Sequence, residues 1–241
     1  MQINALTVCV DYSDRFEPAL VRWRPWLESL TVVTTPDDTE TQRLARAAFP
    51  RVELVTTDLF TADGATFNKG RAMEFARRHH MDWSDWALWI DADIIPPNNW
   101  FERVVAAKPE PGFLYGAWRY QCDDMSRLDD PTMFRRFRED GVAVGYFQLF
   151  HTDDPAVDVT PPLLDTWWLH GGNYDNQFMD RWRTCGRDRR RLIPELWLAH
   201  QGPRNNWFGR DQHGLFENMQ AERRRRDGQW DHERLPFVPV D

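Results

Sequence analysis

Trp86-Ala87-Leu88-Trp89-Ile90-Asp91-Ala92-Asp93-Ile94-Ile95-Pro96-Pro97 is the stretch on which the reading of this chain turns. Its first five residues are apolar without a break. They are too few for a helix and are closed by an acidic turn and a double proline, so they read as a β-strand buried on both faces. Such a strand sits centrally in an α/β sheet. Open α/β sheets bind ligands at the carboxyl ends of their strands, and this end carries two aspartates one residue apart. Residues i and i+2 of an extended segment point the same way, so Asp91 and Asp93 can offer hard oxygen ligands to one divalent cation. The competing reading is a pair of strand-end aspartates that cap the next turn. Spacing alone does not separate the two, because Asp-x-Asp arises readily by chance in a chain with 38 acids.

Upstream, Ile3 to Val10 reads as a first strand running into the polar loop Asp11-Tyr12-Ser13-Asp14. A helix follows, with Pro18 near its start and Trp23, Trp26, Leu27 and Leu30 on its buried side. Leu30 to Thr35 reads as a second strand, after which Asp37 or Asp38 is the N-cap of another helix. Val52 to Thr56 is a third strand. Strand and helix alternating over short connections predict right-handed βαβ units and a parallel sheet. Thr66-Phe67-Asn68-Lys69-Gly70-Arg71-Ala72-Met73 then begins a helix to about His80. Lys69 and Arg71 fall in its first turn, where the macrodipole disfavours cations. A residue set against local preference is a functional candidate, and Lys69 is one of only two lysines in the chain; its plain alternative is a solvated first-turn lysine.

Downstream the pattern changes. After a helix from about Asn98 to Ala107, Phe113 to Tyr120 and Ala143 to Phe150 read as strands, with a short arginine-rich helix at Pro131 to Arg138 between them. Then comes Trp167-Trp168-Leu169-His170-Gly171-Gly172-Asn173-Tyr174-Asp175. It leads into a helix that runs to about Gly186, since Phe178, Met179, Trp182 and Cys185 recur at helical spacing. Tandem glycines let a ligand approach the backbone closely. Asp175 stands at the start of that helix, where its plain reading is an N-cap. Arg191 to Ala199 reads as a strand delivering His200, followed by a loop rich in Gly, Asn and Trp that includes Trp207. An amphipathic helix from Leu215 and a proline-rich tail close the chain. No Gly/Ser/Pro linker interrupts it, so residues 1–241 are expected to form one domain, with a nucleotide-binding half to about 108, an acceptor-side half over about 109–215, and a C-terminal helix and tail over 215–241.

Phe67-Asn68-Lys69-Gly70 followed about twenty residues later by an apolar strand and Asp-x-Asp resembles the nucleotide-binding half of inverting GT-A glycosyltransferases, the galactosyltransferase branch in particular. The resemblance covers residues 3 to about 105 in order of elements and continues loosely to about 210. It implies a GT-A, Rossmann-like α/β fold with a mostly parallel central sheet and a mixed acceptor-side half. It also implies that Asp11, Tyr12, Thr35 and Asp37 line a uridine pocket, that Lys69 and Trp207 face the donor, and that Asp91, Asp93 and His200 hold Mn²⁺ or Mg²⁺. Asp91 would contact the metal directly or through ribose or water. Where those relatives carry Gly-Gly-Glu-Asp, this chain has Gly171-Gly172-Asn173-Tyr174-Asp175, which makes Asp175 the natural base and Asp180 a distant second. The activity implied is metal-dependent transfer from a nucleotide sugar, in this reading a UDP-sugar, with inversion. A nucleotidyltransferase on the same sheet would need a Gly-rich phosphate loop, which Asp11-Tyr12-Ser13-Asp14 is not. A non-enzymatic sugar-binding module leaves the Asp-x-Asp, Lys69 and His200 order unexplained.

Charge and cysteine usage set the remaining bounds. Twelve arginines face five acids between Arg181 and Arg226, within a chain of net charge −8. That asymmetry admits a polyanionic acceptor such as DNA with hydroxymethylated bases, beside the general expectation of a saccharide or lipid; the plain alternative is a solvated, arginine-rich surface. Cys9, Cys122 and Cys185 have no metal-like spacing and form no disulfide framework. With no run of eighteen apolar residues and no signal-peptide pattern at the N-terminus, the expected location is the cytoplasm.

Overall fold

The computed structural model describes residues 1–48, 52–65, 67–122, 124–128, 130, 132, 145–157, 162–164, 166, 175–183 and 187–201. The strands are β1 (Ile3–Val8), β2 (Ser29–Thr34), β3 (Val52–Thr56), β4 (Trp86–Asp91), β5 (Ile94–Ile95), β6 (Leu114–Cys122), β7 (Phe147–His151) and β8 (Arg190–Gln201). Interleaved with them are α1 (Ser13–Trp23), α2 (Thr39–Ala48), α3 (Lys69–His79), α4 (Trp100–Ala106) and α5 (Asn176–Asp180). The strands make one sheet in the order β3-β2-β1-β4-β7-β6-β8-β5. β3, β2, β1 and β4 are parallel neighbours, whereas β7 is antiparallel to both β4 and β6. The expected parallel half and mixed half are therefore present, and they meet between β4 and β7.

β4 is central and covered on both sides, as its unbroken apolar run requires. Trp86, Leu88 and Ile90 enter one core with Phe16, Leu20 and Trp23 of α1, Leu44 of α2 and Trp100 of α4. Ala87 and Trp89 enter the other, with Ala72, Met73 and Ala76 of α3 and Phe178 of α5. This alternation is the period-two pleat of a strand. A fully buried apolar side chain contributes about 1.5–3 kcal/mol, so the strand that ends in Asp91 and leads to Asp93 is firmly anchored.

Several element boundaries differ from the sequence reading. α1 ends at Trp23, and Trp26, expected on its buried side, is 39% exposed and stacks on Phe101 at 5.1 Å. α3 begins at Lys69 rather than Thr66 because Asn68 caps it, accepting from Arg71 N at 2.9 Å. The helix expected to Gly186 is α5, which ends at Asp180. β7 starts at Phe147, not Ala143, and β6 and β8 extend to Cys122 and Gln201. The helix expected over Pro131 to Arg138 lies, Thr132 apart, outside the described residues, as do Gly171-Gly172 and the chain from Leu215 onward. Cys9 and Cys122 are buried free thiols, and Cys185 also lies outside the described set.

Candidate functional site

The site is built at the carboxyl end of β4. Asn68 fixes the first turn of α3 twice over, by its cap to Arg71 and by donating from Nδ2 to Thr166 O at 2.8 Å. Lys69 is thereby held as the first helical residue and is 8% exposed. Its Nζ pairs with Asp91 Oδ1. A cation at a helix N-terminus opposes the macrodipole, and the Asp91 carboxylate supplies the charge that makes it tolerable.

Asp93 and His200 are brought together from opposite halves of the chain by backbone pairing. β5 and β8 are antiparallel with Ile94 opposite His200, and Gln201 N donates to Asp93 O at 3.0 Å. Asp93 Oδ2 then lies 3.2 Å from His200 Nε2, with both residues buried. Gln121, opposite His200 in the β6–β8 ladder, places Oε1 3.1 Å from His200 Nδ1. With Nδ1 donating to that oxygen, Nε2 faces Asp93 as the lone pair of a neutral ring or as the N–H of a protonated one. An imidazole lone pair and a carboxylate facing one another at this range require a proton or a cation between them. Adjacent corners of an octahedron with ~2.1 Å bonds lie ~3.0 Å apart, so the pair suits two neighbouring ligands of a divalent ion. Burial pushes the Asp93 carboxyl up, but the bond and charge of His200 and the charge of Lys69 outweigh it and hold the group below its usual range.

The expected three-residue metal set is not assembled as such. Among the described residues no three His, Cys, Asp or Glu side chains gather closely enough to hold a metal. The reason is local: Asp91, the last residue of β4, turns to Lys69, while Asp93, in the turn beyond, meets His200.

Asp175 stands at the N-cap position of α5 but makes no side-chain cap. Its Oδ2 instead accepts from Gly145 N at 2.7 Å, so the N-cap reading of its carboxylate falls. Asp175 is buried, and burial pushes its carboxyl up; the nearby Asp91 charge adds to this, while its backbone donors and Lys69 only partly offset it. Gly145 and Tyr146 join the two sides of the site, since Tyr146 O accepts from Asp91 N at 3.3 Å. Asp180 is exposed and pairs with Arg183 at 3.2 Å.

The residues expected around uridine lie at the carboxyl ends of β1 and β2, on the same edge of the sheet as Asp91. Asp11 is exposed with φ 55°, and its N–H donates to Asp38 Oδ2 at 2.9 Å. Asp38, buried, also accepts from Thr34 Oγ1 at 3.1 Å and Thr41 N at 3.0 Å. It is therefore the cap of α2 and ties the two loops together, leaving Asp37 exposed beside half-buried Thr35 and Tyr12. Trp207 lies outside the described residues. Gln121, Gly145 and Tyr146 were not anticipated; a glycine at the head of an apolar strand pattern, as a mark of close backbone approach, was the one available signal.

No family profile matches the sequence, and no curated protein does either. Solved structures do match. A mannosyltransferase from Pyrobaculum calidifontis, solved with GDP-mannose and Mn²⁺, superposes with TM-score 0.57 and 14% identity over 86% of this chain. The fold is GT-A. This GT-A chain spans 58% of that mannosyltransferase's length. Glucosyl-3-phosphoglycerate synthase from Mycobacterium tuberculosis matches with TM-score 0.51 and 14% identity over 85% of this chain and 73% of its own. A 4-diphosphocytidyl-2C-methyl-D-erythritol synthase from Anaerococcus prevotii matches with TM-score 0.50 and 12% identity over 92% and 98%.

Proposed function

We propose that this chain transfers a sugar from a nucleoside diphosphate sugar, a UDP-sugar in the first instance, to an acceptor hydroxyl with inversion. The observation that carries the reading is the Asp93–His200 pair, a carboxylate and an imidazole nitrogen 3.2 Å apart with the other ring nitrogen facing Gln121. Asp93 and His200 would hold Mn²⁺ or Mg²⁺, which when bound supplies charge neutralisation for the diphosphate leaving group. The neighbouring mannosyltransferase, solved with GDP-mannose and Mn²⁺, supports that pairing of metal and donor. Lys69 adds a fixed positive charge beside Asp91. Asp11, Tyr12, Thr35, Asp37 and Trp207 are assigned to the nucleotide side.

Asp175 serves as the base. As the acceptor oxygen bonds to the anomeric carbon, the bond from that carbon to the diphosphate oxygen breaks, and the acceptor proton passes to Asp175. Its raised pKa suits the task, since a base must hold the proton it takes. Saccharide or lipid acceptors fit this chemistry. We place the protein in the cytoplasm as one domain; among the described residues no helix is long and apolar enough to cross a membrane.

The test is a panel of UDP- and GDP-sugars assayed for Mn²⁺-dependent hydrolysis, with UDP binding followed by calorimetry. Equal UDP affinity in Mn²⁺ and in chelator sinks the metal assignment. The likeness to the diphosphocytidyl synthase favours one second reading, nucleotidyl transfer. Release of pyrophosphate from a nucleoside triphosphate, in place of nucleoside diphosphate from a nucleotide sugar, decides for it.

A further inference from the structure

Gly145 is a glycine for a reason other than backbone torsion. The glycines with positive φ among the described residues are Gly64 and Gly112, so Gly145 occupies a conformation open to any residue. What forbids a side chain there is space. A Cβ built on Gly145 would meet the Asp175 carboxylate, lying 2.6 Å from its Cγ and 2.9 Å from its Cβ, inside any real contact distance. At the same point the Gly145 N–H donates to Asp175 Oδ2 at 2.7 Å. The backbone around it is braced: Tyr146 Oη donates to Ala117 O at 2.5 Å, and the Arg119 guanidinium lies over the Tyr146 ring at 4.5 Å.

We propose that Gly145 is the positioning residue for the candidate base, tethering one oxygen of Asp175 through its N–H and, by lacking a side chain, admitting the carboxylate against the backbone. The Gly145 N–H engages Oδ2 alone, and the carboxylate takes the acceptor proton on its other oxygen in this proposal. Because Tyr146 O holds Asp91 N, the Gly145–Tyr146 dipeptide fixes the base relative to the end of β4. The proposal rests on the reading of Asp175 as base, but its geometric part is tested without it.

The experiment is a cycle of Gly145→Ala and Asp175→Asn, read by transfer from the donor found in the panel and by ¹³C-carboxyl NMR titration of Asp175, assigned by its loss in Asp175→Asn. Gly145→Ala is expected to cut kcat by ~10²-fold with little change in donor KM, to displace the Asp175 carboxyl resonance and its midpoint, and to cost under ~2-fold further in the Asp175→Asn background. Multiplicative losses in the cycle, or an Asp175 resonance and midpoint unchanged by Gly145→Ala, overturn the proposal. If Asp175→Asn itself retains full transfer, the base reading falls, while the NMR titration still decides the tether. Should Gly145→Ala fail to fold, Gly145→Ala/Asp175→Gly, which removes the three atoms nearest the new Cβ, is expected to recover the wild-type Tm; no recovery overturns the account.

Discussion

Asp175 is costly where it stands. Burial raises its pKa above that of the unfolded chain, so the folded state binds the proton more tightly. By linkage, its contribution to stability is most favourable below the unfolded pKa and is lost as pH rises through the folded one. Asp175→Asn should therefore raise Tm at pH 7, with the gain shrinking toward pH 3, while transfer falls ~10²-fold or more and UDP affinity holds. Thermal melts across pH, beside turnover, check both halves; a lower Tm at pH 7 contradicts the linkage. Lys69→Met leaves Asp91 without the cation it faces and removes a charge from the donor side. Charge-assisted hydrogen bonds contribute about 1.5–3 kcal/mol, so calorimetry with UDP and Mn²⁺ should find Kd raised ~10-fold or more. At this scale the sequence picks out unusual residues in unusual places, Lys69, Asp93, His200 and Asp175, and the structure pairs Lys69 with Asp91, Asp93 with His200 and Asp175 with Gly145. Gln121 escaped because its place comes from cross-strand pairing, which leaves no local pattern, and Gly145 leaves only the weak mark of a glycine at the head of an apolar strand pattern.

α5 shows why element boundaries were harder to read. Five residues are far below the length at which a helix holds by propensity, so packing must hold it. Phe178 lies 4.1 Å from Trp89, 5.0 Å from Phe150 and 4.8 Å from Trp182 between ring centroids. The helical spacing of Phe178, Met179 and Trp182 identified the buried side correctly, but it carried no information on where the helix stops. Phe178→Ala should cost about 3–5 kcal/mol in urea unfolding and release Asp175 with the helix it heads, so transfer should fall beyond what the lost stability explains. α3 is anchored differently. Fully buried Glu74 accepts from Arg77 at 2.7 and 3.0 Å and from Arg78 at 2.8 Å. Removing one member of such a network strands buried charge, so Glu74→Ala should cost about 3–5 kcal/mol, read from the urea midpoint at constant slope.

Across the whole molecule, the order of apolar strands and helices made the parallel half of the sheet legible, because each βαβ unit is local in sequence. The mixed half depends on contacts such as Trp118 opposite Trp197, which no window of sequence reveals. The sheet also bears on the acceptor. Arg190 lies opposite Leu114 and His200 opposite Gln121 in the β6–β8 ladder. The two ends of β8 are thus roughly 23 Å apart at ~3.3 Å per residue, and the arginine run 189–191 sits at the end away from the candidate site. Those arginines are also engaged: Arg189 with Gly112 O at 3.2 Å, Arg190 with Asp188 at 2.7 and 2.8 Å, and Arg191 over Phe113 and 3.7 Å from Glu110. A duplex held there would not present a base to Asp175. Neutralising phosphates makes log affinity fall with log salt by roughly 0.9 for each one contacted. Arg189, Arg190 and Arg191 changed together to Ala should therefore leave both the affinity for duplex DNA and its salt slope where they are in the wild type. A slope reduced by ~2–3 in the triple variant, with hydroxymethylated DNA preferred over plain duplex, would reverse this and restore a DNA acceptor; an unchanged slope removes this run as a DNA contact and returns the acceptor to the saccharide or lipid class.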